Sequence, residues 1–118
     1  MAWTDYASAP PPGTEICDEA EIGQLRCLTV ESPNGRFPLL LVRLPEGLRA
    51  YVNACPHQYL PLDYRGDRLV SADGARLICT AHGAMFEIAS GRAVVGADCG
   101  LDIVPLSTTG GKVRIAST

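Results

Sequence analysis

The chain has 118 residues, a mass of 12.5 kDa and a formal net charge of −3, with 47% apolar and 19% charged residues. At roughly 150 residues per domain this is material for one compact unit, which leaves no room here for a binding domain beside a separate catalytic one. The excess of acidic over basic side chains, 13 against 10, lacks the basic footprint of a nucleic-acid binder, so no nucleic-acid partner is expected.

The first residues carry no basic leader. The longest wholly apolar run, Leu39-Leu40-Leu41-Val42, is far too short to span a bilayer. A cytoplasmic protein without a membrane partner is expected. Ala7-Ser8-Ala9-Pro10-Pro11-Pro12-Gly13 is rich in prolines that no central strand accepts, so residues 1–13 read as a flexible arm and residues 14–118 as the domain. Trp3 and Tyr6 fall in that arm. From Thr14 onward, β-favouring runs alternate with turn residues, the grammar of an antiparallel sandwich or barrel and not of strand–helix–strand units.

The strands predicted in order are Glu15–Cys17, Gln24–Glu31, Phe37–Leu44, Leu48–Asn53, Arg76–Cys79, Met85–Glu87, Leu101–Pro105 and Lys112–Ala116. Ser32-Pro33-Asn34-Gly35 is a hairpin signal, since Asn and Gly tolerate the positive φ of tight turns. Pro45-Glu46-Gly47, Ala72-Asp73-Gly74 and Thr109-Gly110-Gly111 repeat it. Asp18 to Gly23 has the composition of a single short helical turn. The fold class is all-β, with no long amphipathic helix and no internal repeat.

Five cysteines, an odd number, argue against a disulfide framework in a reducing compartment. Cys17 and Cys27 fall on predicted strands as small apolar residues, and Cys99 reads as an inert thiol. Cys55 and Cys79 differ, because each precedes a histidine at close range in Cys55-Pro56-His57 and Cys79-Thr80-Ala81-His82. These are the only histidines in the chain, and at this cysteine frequency both offsets coincide by chance with a probability of about 0.002. A metal role for Cys55, His57, Cys79 and His82 follows. Two thiolates and two imidazoles are a familiar tetrahedral zinc set, though zinc fingers group cysteines together and histidines together. One thiolate and one imidazole per loop suits a binuclear centre, with both thiolates on one iron and both imidazoles on the other.

The second box continues as Cys79-Thr80-Ala81-His82-Gly83-Ala84-Met85-Phe86, followed by Ser90-Gly91-Arg92. In this the chain resembles the Rieske [2Fe–2S] proteins, whose pattern is C-x-H and then C-x-x-H-G-x-x-F. The likeness extends from about Thr14 to Ala116. It implies a Rieske-like β-sandwich whose two ligand loops form a small cluster-binding part, about residues 54–88. It further implies one [2Fe–2S] cluster on Cys55, His57, Cys79 and His82, with each histidine bound through Nδ1. Gly83 would bring the backbone close to the cluster and donate an amide hydrogen bond to it, while Leu62 and Phe86 would pack beneath the loops.

Neither loop has the spare cysteine of the respiratory subunits, and Ala84 stands where those tend to carry a serine. Fewer hydrogen bonds to the cluster imply a potential toward the low end of the Rieske range, about −150 to +300 mV. The 21 residues from Gln58 through Ile78 exceed the spacing usual in oxygenase ferredoxins, with the surplus expected in a longer hairpin within Tyr64 to Gly74. Gly96-Ala97-Asp98-Cys99-Gly100 replaces a covering loop that carries Gly-Pro in many relatives. Tyr59 and Leu60 read equally as a docking rim or as loop packing. The resemblance implies an electron carrier with no catalytic domain of its own, taking electrons from a reductase and passing them to a terminal oxygenase, such as an aromatic-ring hydroxylating one. The alternatives are a small subunit of a larger oxidoreductase, such as a nitrite reductase, and a structural zinc domain for protein binding.

Overall fold

The computed structural model describes residues 2–56, 60–81 and 83–117. In chain order these form β1 (Glu15–Asp18), β2 (Leu25–Ser32), β3 (Gly35–Leu44), β4 (Gly47–Val52), β5 (Arg76–Ile78), β6 (Met85–Glu87), β7 (Ala93–Val95), β8 (Leu106–Thr109) and β9 (Lys112–Ile115). No α-helix occurs among the described residues, and the short turn expected after Asp18 is a 3-10 turn at Glu19–Glu21. The strands make three antiparallel three-stranded sheets, as the all-β reading requires. The chain divides into two compact units, Met1–Val52 with Ile103–Thr118, and Asn53–Asp102.

In the first unit, β2, β3 and β4 form a meander joined by two-residue loops. Ser32 pairs with Gly35 across Pro33-Asn34, and Leu44 pairs with Gly47 across Pro45-Glu46. Leu39 to Val42 are each at most 1% exposed. A strand covered on both faces reads as a continuous apolar run rather than an alternating one, and the central β3 is such a strand. Pro38 pairs only with Thr29 of β2, because the ladder to β4 ends at Leu39 and Val52. The missing N–H therefore breaks no bond on that side.

The second sheet of this unit has the order β1-β9-β8. Its β8–β9 hairpin turns on Gly110 and Gly111, with φ of 59° and 78°, the doubly positive conformation a type I′ turn needs. The strand predicted at Leu101–Pro105 is displaced. Ile103 makes one isolated bridge to Tyr51, Val104 N–H donates to the Ala50 carbonyl, and the strand proper begins only after Pro105.

The leading segment is tied to this unit rather than loose. Trp3 is 8% exposed, and both Trp3 and Tyr6 meet Phe37 edge-on at centroid distances of 6.3 and 5.9 Å. Such pairs contribute about 0.5–1.5 kcal/mol each beyond their buried area. Asn34 Nδ2 donates to the Ala9 carbonyl and Gly13 N–H to that of Ile115. The prolines are compatible with this course because none is asked to join a sheet.

The second unit carries the sheet β5-β6-β7 over a core of Leu62, Leu69, Leu77 and Phe86, each at most 1% exposed. Between the two Cys–His boxes the chain forms a hairpin over Leu69 to Ile78, overlapping only the end of the Tyr64 to Gly74 stretch where one is expected. Val70 bridges Leu77, Ser71 N–H donates to Arg76 and Ile78 N–H to Leu69, around a turn at Asp73-Gly74. Strand β7, paired with β6, lies outside the strands that the sequence predicts. No helix among the described residues is long and apolar enough to cross a membrane.

Candidate metal centre

Cys79 immediately follows β5, and its N–H donates to the Ala84 carbonyl at 2.8 Å, extending the β5–β6 ladder by one rung. Cys55 sits in a loop closed the same way, with its N–H donating to the Leu60 carbonyl at 2.7 Å. In both boxes the cysteine N–H is thus bonded to the carbonyl of the residue five positions on. Cys55 is 1% exposed and Cys79 is 0% exposed. His57, Gln58, Tyr59 and His82 lie outside the described residues.

The two loops are bonded to each other. Thr80 N–H and Thr80 Oγ1 both donate to the Leu62 carbonyl, at 2.9 and 2.7 Å, and Thr80 Oγ1 accepts from Arg65 N–H at 2.8 Å. The Leu62 N–H in turn donates to Asn53 Oδ1 at 2.8 Å, and Asn53 Nδ2 donates to Asp63 Oδ1 at 3.0 Å. Asn53 is buried, at 6% exposed, and it is the only buried polar or charged residue among those described. Burial without partners would cost its amide several kcal/mol, about 2–7 on transfer scales, and both ends of the amide are satisfied.

Gly83 has a φ of 77°, which favours glycine, and its N–H donates to the Cys79 carbonyl at 2.7 Å. The amide expected to point at the cluster is committed to the loop's own backbone, so glycine is required here for its conformation. Ala84 is 2% exposed and brings no hydroxyl. Gly96, at φ 78°, packs close enough to Ala84 that a Cβ would lie 3.2 Å from its Cα. Cys99 in the same segment is exposed, Cys17 and Cys27 are half-buried, and none of the five cysteines forms a disulfide. Burial pushes the Cys17 thiol pKa up, opposed by the nearby Arg26 guanidinium and reinforced by Glu21 and Asp18.

Among the described residues no group of three or more His, Cys, Asp or Glu side chains is placed to hold a metal. A four-ligand centre on Cys55 and Cys79 therefore needs ligands from outside that set, where the chain's two histidines stand. Two buried sulfur donors on mutually bonded loops, each with an imidazole two or three residues on, fit an iron–sulfur group with mixed ligation. Leu62 and Phe86, both 0% exposed, form the expected packing in this unit. The contribution of Thr80 and Asn53 went unread in the sequence, because only tertiary contacts bring them to Leu62.

A family model described as the Rieske [2Fe–2S] domain matches residues 14–101, a span that includes both boxes. No match to a curated protein sequence is found. Among solved structures, the ferredoxin of Sphingomonas yanoikuyae B1 is similar at 21% identity and a TM-score of 0.69, over 90% of this chain and 99% of that one. A chain from a complex of reduced oxygenase and oxidized ferredoxin in carbazole 1,9a-dioxygenase is similar at 22% identity and a TM-score of 0.63, over 86% of this chain and 99% of that one. The small subunit of a putative NADPH nitrite reductase is similar at 15% identity and a TM-score of 0.66, over 91% of this chain and 100% of that one.

Proposed function

Since the chain belongs to the Rieske [2Fe–2S] domain family, we propose that it carries electrons one at a time on a cluster held by Cys55 and Cys79 on one iron and by His57 and His82 on the other. The cluster supplies the redox chemistry, exchanging a single electron between its oxidised and reduced states. The chain's own residues bury the two thiolates, close each ligand turn through a cysteine N–H and bond the two loops together. The family match across both Cys–His boxes is the observation that carries this reading.

The donor is a reductase and the acceptor a terminal oxygenase. The similarity to a chain from an oxygenase–ferredoxin complex supports the acceptor. A bound role in a larger oxidoreductase is the second reading, supported by the similarity to a nitrite reductase small subunit. A cytoplasmic location and a small, transient interface with each partner belong to the same proposal. The potential belongs at the low end of the Rieske range, because Gly83 N–H is spent on Cys79 and Ala84 offers no hydroxyl.

Anaerobic expression followed by metal, acid-labile sulfide and electron paramagnetic resonance measurements tests the centre. About two irons and two sulfides per chain, with a signal only on reduction, are expected. One zinc and no signal would overturn the proposal. A reduced protein that purifies alone and is reoxidised by an oxygenase favours the first partner reading, whereas stable co-purification with a larger oxidoreductase favours the second.

A further inference from the structure

We propose that Thr80 is a positioning residue whose hydroxyl latches the Cys79 loop to the Cys55 loop and thereby fixes the spacing of the two thiolates. The backbone of Leu62 is the common anchor. Its N–H is held by Asn53, two residues before Cys55, and its carbonyl is held twice by Thr80, the residue after Cys79. The Thr80 hydroxyl has one proton to give, which goes to Leu62, and it accepts Arg65 N–H in return. The hydroxyl therefore adds a second bond to the one the Thr80 amide makes, and it also captures the chain three residues beyond Leu62. Leu62 itself is fully buried, so the anchor is fixed from below as well.

No disulfide ties these loops, since neither has a cysteine besides its ligand. Without a covalent tie, the separation of Cys55 and Cys79 depends on the non-covalent bonds between the loops. Loss of the hydroxyl leaves the Thr80 amide bond in place and removes the other two. The site should then still form but admit a wider range of sulfur positions.

This inference rests on the assignment of Cys55 and Cys79 as ligands, and its test separates the two. In loaded protein, Thr80→Val keeps the shape of the side chain without the hydroxyl, and Thr80→Ser keeps the hydroxyl without the methyl. Thr80→Val should release iron to a chelator about tenfold faster than the parent, the equivalent of one or two ordinary hydrogen bonds. It should also broaden the resonance lines of the reduced protein, whereas Thr80→Ser should match the parent within about twofold in release and in line shape.

Parental behaviour of Thr80→Val overturns the latch, and so does a Thr80→Ser variant as impaired as Thr80→Val. Hydrogen exchange of the parent protein supplies a reading that needs no variant. The Arg65 amide belongs to an exposed residue, so its protection has to come from Thr80 Oγ1. Slow exchange supports the latch, and exchange at the rate of an open loop overturns it. A parent protein that binds no iron instead fails the ligand assignment, while its Arg65 exchange still reports on the latch.

Discussion

Gly100 shows how strongly a single position can be constrained without any role in chemistry. A Cβ there would lie 2.5 Å from the Gly91 carbonyl oxygen, which already accepts the Leu101 N–H at 2.8 Å. The obstacle is backbone, so it cannot swing away as a side chain could. Gly100→Ala should cost about 1–3 kcal/mol of stability, the usual range for forced overpacking, read as a lower urea midpoint at unchanged slope. The cysteines differ as sharply from one another. Cys99 is exposed, whereas burial raises the Cys17 thiol pKa and so lowers its thiolate fraction at neutral pH. Alkylation of loaded protein at pH 7.5 should modify Cys99 first and Cys17 much more slowly, with Cys55 and Cys79, as the proposed ligands, labelled only once the metal is removed. Equal labelling of Cys17 and Cys99, followed by peptide mass mapping, would contradict this order.

At the scale of elements, the β1–β9 pair is laced by charge. Lys112 Nζ reaches Asp18 Oδ1 and lies 3.9 Å from Glu15, and Arg114 lies 3.6 Å from Glu15. The Lys112 hydrogen bond holds the Asp18 carboxyl below its ordinary value of 3.8, and Asp18 holds the Lys112 ammonium above 10.5. A carboxyl lowered by folding contributes stability that is present above 3.8 and lost as pH falls through its native pKa. An ammonium raised by folding contributes stability that is present below 10.5 and lost as pH rises through its native pKa. The advantage of the parent over Asp18→Asn in urea should therefore be flat between these limits and shrink beyond either one. It should remain small throughout, since both side chains are solvated and salt screens them.

The same scale shows what local sequence carries and what it omits. The β2–β3–β4 meander was legible because Ser32-Pro33-Asn34-Gly35 and Pro45-Glu46-Gly47 set its turns and Leu39 to Val42 its centre. Strand β7 was not, because Ala93–Val95 is only three residues between Gly91-Arg92 and Gly96, and its pairing with β6 is not written locally. The apolar Leu101–Pro105 attracted the assignment that belonged to Leu106–Thr109, an edge strand specified by its Gly110-Gly111 turn and largely exposed. The site divides along the same line. The Cys–His spacing is a local property and is visible in the sequence, whereas the Asn53, Leu62 and Thr80 bonds join residues 9 and 18 positions apart and depend on the fold.

For the molecule as a carrier, the decisive quantity is the charge its ligands place on the cluster. With the proposed two thiolates and two neutral imidazoles, the oxidised centre would be formally neutral, and mixed ligation sets Rieske potentials well above the roughly −400 mV of plant-type ferredoxins. Replacing one of the proposed imidazole ligands by a thiolate would add a negative charge to the centre and so disfavour its reduced state. His57→Cys or His82→Cys, where a cluster still assembles, should lower the potential by on the order of 100 mV or more. Ala84→Ser works in the opposite direction by offering an O–H where the chain has only a methyl, and the close approach of Gly96 limits the room for it. Electrochemical titration of the three variants against the parent checks both signs. An unchanged potential in a loaded histidine variant would remove that histidine from the proposed ligand set.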